Sequence, residues 1–377
     1  MTSSTFNAST DLHSRCMAVL SNKHLEDQID NKRSVYLIGP FFDLTFVCGG
    51  LVLALAAICI NQFGVSANAA QQSTPIMALG IIGTFLLSGP HTGATLVKLY
   101  GEKENRLRFY YVSFVLPAVL VIALTVGLFV PFVAKVEALV YLMLVWHHYM
   151  AQSYGIAMMY CARAGMHLLA KDKFLARAIL HIAVTVAITQ QFTPDWQRTS
   201  FLNIPLAPMA FMPTNVVCIL QGFLVITIAA FLIEQLGRRR RGAINMPLPA
   251  MATLLTCGLF LTLGRGLSDL MWLFVPNFFH STQYLAVVLA ERHKKESDNN
   301  PSRTFLKSFE HLGDCFGEFF LLGLLLFSAL PFVISRLGFP FYLTSALVFF
   351  ALSFHHFAAD ACIWKPKKKP QHLRSRL

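Results

Sequence analysis

Charge is what this chain has least of. Only 13% of its 377 residues are Asp, Glu, Lys or Arg, against roughly 25% in a soluble globular domain. With 55% hydrophobic residues and a mean hydropathy of +0.56, it has too little polar surface for water to solvate most of it. Acidic residues are scarcest, 19 against 31 Lys and Arg, which leaves a net charge of +12. Nucleic-acid binding would need those basic residues on one continuous surface. Here they stand in short clusters between apolar segments, such as Arg238-Arg239-Arg240-Arg241 and Lys367-Lys368-Lys369, a pattern that excludes a nucleic-acid partner. Clusters of this kind hold loops against anionic lipid headgroups.

Paired cysteines are missing too. The eight cysteines are scattered and none forms a CxxC, so neither a zinc knuckle nor a disulfide framework is expected. Residues 1–35 contain no apolar core. We therefore expect a cytoplasmic arm there and no cleavable signal peptide.

Long apolar runs are abundant. A bilayer core of about 30 Å takes around 20 residues of helix. Ten stretches approach that length, at roughly 36–61, 75–98, 109–133, 138–162, 174–192, 214–236, 246–264, 269–291, 316–335 and 340–364. Segment 193–213 is expected to hold an interfacial or re-entrant piece. If all ten cross, 27 of the 31 Lys and Arg fall on one side, and only Lys135, Arg198, Arg265 and Arg336 on the other. By the positive-inside rule this predicts an all-α, polytopic bundle of about ten spans, with both termini cytoplasmic. Three parts follow: the arm 1–35, a helical domain 36–364 and a basic cytoplasmic tail 365–377. A multi-pass protein without a signal peptide or eukaryotic tail signals is expected in a bacterial inner membrane.

Polar side chains inside such stretches are costly and mark function. His91, the pair His147-His148, His280 and the pair His355-His356 lie in the second, fourth, eighth and tenth stretches. They stand 7 to 16 residues from the first cytoplasmic charge, roughly 10–24 Å of helix. Asp43 belongs to the same band. His148 with Gln152 and His356 with Asp360 are four apart, and His280 with Gln283 three apart, so each pair shares a helix face. Neutral imidazoles from several helices, joined by a carboxylate, suit iron, zinc or copper. The predicted metal ligands are His91, His147, His148, His280, His355, His356 and Asp360, with Asp43, Gln152 and Gln283 as supporting or pathway residues. Gly89 and Gly93 beside His91 would admit a close helix neighbour, and Pro90 and Pro276 would loosen their helices.

Histidines grouped near the cytoplasmic ends of spans, as in HHYMAQ (147–152) and HHFAAD (355–360), resemble those of the integral-membrane non-haem iron enzymes, the fatty-acid desaturases and hydroxylases. The desaturase boxes HxxxH and HxxHH are absent. The resemblance implies a non-haem iron oxidoreductase for a lipid-soluble substrate, with an electron-donor protein at the cytoplasmic face. Zinc, copper or haem are the alternative cofactors. Two other functions fit the same residues: a b-type haem electron-transfer protein, and a proton- or ion-coupled transporter using Asp43, His91 and the glutamines as a polar pathway.

Overall fold

In the computed structural model the described residues are 35–63, 78, 80, 82–166, 168–194, 200–206, 210–262, 269–299 and 305–364. The tail 365–377, and the arm except for residue 35, lie outside them. Regular structure among the described residues is almost entirely helical. In chain order the helices are α1 (Pro40–Val47), α2 (Gly50–Phe63), α3 (Gly89–Tyr100), α4 (Lys103–Arg108), α5 (Tyr111–Phe129) and α6 (Pro131–Arg163). There follow α7 (Ala170–Gln190), α8 (Thr214–Arg240), α9 (Leu248–Thr262), α10 (Asp269–Asn299), α11 (Phe305–Leu324), α12 (Leu330–Ser335) and α13 (Phe341–Ile363). Pro131 stands in the first turn of α6, after the extended Val130, where a missing N–H costs nothing. Gly338, at φ +99°, reverses the chain between α12 and α13.

The expectation of about ten spans is wrong. Among the described residues four helical segments are long and apolar enough to cross a membrane: Tyr111–Phe129, Thr214–Arg240, Glu310–Ser335 and Phe341–Ile363. A fifth exists only if α1 and the start of α2, bent by 54° at Cys48-Gly49, count as one. Part of the difference has a visible reason. The apolar helix α9 has 15 described residues, up to Thr262, about 22 Å of rise against a core of about 30 Å. Helices α6 and α10 are long enough, at 33 and 31 residues, but spend their length on His, Gln, Asn, Tyr and charged side chains. The stretch 75–98 begins largely outside the described residues, and its described part is a helix with a π-turn at Thr84–Ser88 that runs on into α3. Hydropathy along a sequence does not separate an apolar face turned to protein from one turned to lipid.

The segments that do qualify expose apolar side chains. Val121, Ile122, Val225, Ile226, Ile233 and Val333 are each at least 62% exposed. Surface of this kind suits hydrocarbon better than water, consistent with association with a membrane. The interior is packed around the fully buried rings of Trp146, Tyr160, Phe260 and Phe350.

Segment 193–213 contains an antiparallel two-stranded hairpin, β1 (Ser200–Phe201) with β2 (Ile204–Pro205). Its tip residues Leu202 and Asn203 both have positive φ, 49° and 62°, as a tight two-residue turn requires. Phe201 stacks on Tyr141 of α6, ring centroids 5.6 Å apart, which anchors the hairpin to the bundle.

Four helices that are far apart in sequence run parallel and in register. Asn277 on α10 contacts Tyr149 on α6 and Ser88 just before α3. One turn on, His280 meets His91 and His148. A further turn on, Thr95 meets Tyr284 and Asp360. Lys98 then reaches Glu291 and lies over the Trp364 ring. Against this group α11 packs closely. A Cβ on Gly93 would overlap the Phe319 carbonyl oxygen, and one on Gly323 would overlap Gly89, so these glycines admit backbone-to-backbone contact as expected.

Candidate metal centre

Helices α3, α6, α10 and α13 each contribute one buried histidine to a single point. His91, His148, His280 and His356 offer ligand atoms that all lie within 4.8 Å of one another. Around this ring the Nε2–Nε2 distances are 2.7 Å (His91–His356), 3.1 Å (His356–His148), 3.0 Å (His148–His280) and 3.1 Å (His280–His91). The rings meet edge to face, with interplanar angles of 69° to 77° between neighbours. Four nitrogens spaced in this way surround a centre roughly 2 Å from each, the length of a metal–imidazole bond.

Each Nε2 has one in-plane site, a proton or a lone pair. Protons on all four would collide at the centre, four lone pairs would repel, and alternating the two leaves N–H groups crowded at 2.7–3.1 Å from two acceptors each. A cation removes the conflict. The surroundings of His356 favour a tautomer that points the same way. Its Nδ1 lies 2.9 Å from Thr95 Oγ1, and the Thr95 hydroxyl donates to Asp360 Oδ1 at 3.1 Å. Thr95 therefore accepts from Nδ1–H, which leaves Nε2 of His356 with its lone pair directed inward. Tyr284 Oη is 2.6 Å from Thr95 Oγ1 and completes the group. Nδ1 of His91 and of His280 is buried without a hydrogen-bond partner.

Asp360 stands beside the ring. Its Oδ2 is 3.4 Å from His356 Nε2 and 3.9 Å from His148 Nε2. A carboxylate there faces the centre and lowers the cost of a positive charge in a buried site.

The structure does not bring the other predicted residues to this point. His147 follows Trp146 on α6 and turns about 100° away from His148. It is exposed, and its ring centroid is 6.4 Å from that of His181. His355 points away from its neighbour His356 for the same reason. Its Nε2–H donates to the Val112 carbonyl at 3.1 Å, and it stacks on Tyr100. Asp43 is fully buried as a local cap: it accepts from the Leu37, Ile38 and Gly39 amides and from the Tyr160 hydroxyl. Tyr160 lies 12 residues beyond His148, about 18 Å along α6. Gln152 donates to the His280 carbonyl at 2.9 Å. Gln283 ties α10 to the Val47 carbonyl and to Ser153. Both glutamines brace the helices that carry the ring.

Sequence reasoning missed Thr95, Tyr284 and Tyr149. The first two follow a cluster histidine by four residues, as Gln152 and Asp360 do, and that repeated spacing was a signal available in the sequence. Tyr149 packs against His280, centroids 4.6 Å apart, and donates to Asn277.

Two cavities reach the ring. One of about 450 Å³ is lined by His91, His280 and His356 together with Tyr149, Asn277 and many aromatic side chains. The second, about 550 Å³, is lined by His148, Asp360, Tyr284 and mostly apolar residues of α6. Both are of the size that small-molecule ligands occupy. Comparisons with protein-family models, with curated proteins and with solved structures found no match for this chain.

Proposed function

We propose that the chain is an integral-membrane, metal-dependent oxidoreductase that acts on a lipid-soluble substrate. The observation that carries this reading is the convergence of four buried Nε2 atoms from four parallel helices at 2.7–3.1 Å from one another. His91, His148, His280 and His356 would hold the ion, with Asp360 as an adjoining carboxylate. Neutral imidazoles with a carboxylate alongside suit iron, with zinc and copper the next choices. At this spacing the four imidazoles occupy the positions that a porphyrin would need, which favours a bare ion over haem.

A redox-active ion held there would supply one-electron chemistry and dioxygen activation. The chain's own residues do the rest. Thr95 fixes the His356 tautomer, and Gln152 and Gln283 keep α6 and α10 in register. The aromatic and aliphatic lining of the cavities keeps bulk water from the centre and accepts an apolar substrate. Tyr149, Asn277 and Ser88 form a hydrogen-bonded row at the wall of the first cavity. That row gives the substrate a few polar contacts to orient it.

Elemental analysis and a visible spectrum of the detergent-purified protein test this reading. Stoichiometric iron without a Soret band is expected. A Soret band would favour the haem protein, and protein that carries no ion and takes none up would overturn the reading.

A further inference from the structure

Along α10 and α13 the two cavities follow one another and the histidine ring stands where they meet; on α6 they overlap, the first reaching Tyr149 and the second starting at Leu144 on the exposed side of the helix. On α10 the first cavity is lined by Asn277 and His280, the second by Tyr284 and Val287. On α13 the first runs from Phe341 to Phe357 and the second from Phe357 to Trp364. The helices are parallel and in register, so this order is an order in space. Along α13 the first cavity extends about 24 Å, and along α6 the second, from Leu144 to Met159, about 22 Å. Phe357 belongs to both walls. Its ring stacks on His148 with centroids 4.3 Å apart and an interplanar angle of 29°, and it lies 5.9 Å from His356.

Resting on the reading above, we propose that the two cavities are the two arms of one track for a linear apolar chain, an acyl or isoprenoid lipid. The chain lies with an interior carbon, not its end, at the histidine ring, and Phe357 is the positioning residue that sets which carbon stands there. A site built for chain ends or for compact molecules would need one cavity, closed at the ring. Here the lining continues past the ring in both directions, and most of its surface is apolar. The hairpin tip Leu202-Asn203, in left-handed backbone, forms part of the first arm's wall.

Photo-crosslinking tests the track without requiring a metal. Protein in lipid nanodiscs is irradiated with octadecanol carrying a diazirine at mid-chain or at the terminal carbon, and modified residues are mapped by mass spectrometry. The metal content of the same preparation is measured separately, so loss of the metal reading and loss of the track are distinguished. The mid-chain probe should label Phe357, Tyr149 and Tyr284, and the terminal probe residues at the far end of one arm, near Phe341 or near Met159. Excess unlabelled octadecanol should suppress both. Phe357→Trp, which fills the junction, should lower mid-chain labelling at Tyr149 and Tyr284 by roughly tenfold, the effect of about 1.4 kcal/mol of lost binding. Phe357→Leu, which opens the junction rather than filling it, should keep mid-chain labelling at Tyr149 and Tyr284. Identical labelling by both probes, or labelling confined to outward-facing residues such as Val121 and Val225, would overturn the proposal.

Discussion

Replacing Thr95 by valine keeps the shape of the side chain and removes one hydroxyl. That hydroxyl accepts from His356 Nδ1 at 2.9 Å, donates to Asp360 Oδ1 at 3.1 Å and lies 2.6 Å from Tyr284 Oη. All four residues are buried. In the variant His356 keeps its ring position but loses the acceptor that holds the proton on Nδ1, so the Nε2-protonated tautomer, which cannot bind a cation, gains population. Loss of such a supporting partner typically lowers metal affinity by about 10–100-fold, or about 1.4–2.7 kcal/mol. A buried Nδ1–H and a buried carboxylate oxygen also lose a partner, at about 1–3 kcal/mol each in the metal-free protein. Competition against a chelator of known affinity, on apo-protein reloaded with Fe(II) or Co(II), reads the first effect. Thermal unfolding of the apo-protein reads the second. Thr95→Ser keeps the hydroxyl and should retain most of the affinity. If Thr95→Val binds metal as tightly as the parent, the hydroxyl does not set the tautomer and the derivation from Thr95 to the ring is wrong.

Alanine at His147 or His355 should leave metal content unchanged, whereas alanine at His91, His148, His280 or His356 should abolish or sharply reduce it, as elemental analysis of each variant will show. His355→Ala should instead lower the unfolding temperature, because the Val112 carbonyl and Tyr100 lose their partner. Gly93→Val should destabilise by about 1–3 kcal/mol, the usual cost of overpacking, because its Cβ falls on the Phe319 carbonyl; thermal unfolding measures it. Arg238 and Asp172 form a buried ion pair at 2.6 Å. Arg238→Met should therefore cost about 3–5 kcal/mol by leaving the carboxylate unpaired, and Arg238→Met with Asp172→Leu should recover most of that loss.

The histidines that matter were legible because burying an imidazole among apolar residues needs a reason. Both members of each His-His pair are expected as ligands from the sequence, yet a rotation of 100° per residue lets only one of them face a shared centre. Which one did not follow from the sequence, because the face that a helix buries depends on its neighbours. The partners at i+4 settle it in the structure: His148 stands above Gln152, which bonds α10, and His356 above Asp360, which bonds Thr95. Asp43 was misplaced for a different reason. A carboxylate in an apolar stretch looks the same whether it serves a site or caps a helix, and here three amides and Tyr160 claim it. The span count failed where hydropathy cannot tell protein from lipid as the surroundings, as at α9, and where polar site residues interrupt long helices, as at α6 and α10.

X-ray absorption at the K edge of the ion that copurifies with the protein tests the metal centre most directly. The expected scattering shell is four imidazole nitrogens at about 2.0–2.1 Å, with multiple scattering from the rings, and it should be lost from His148→Ala and His356→Ala. A shell of sulfur ligands, a porphyrin signature, or an unchanged spectrum in either variant would contradict ligation by His91, His148, His280 and His356.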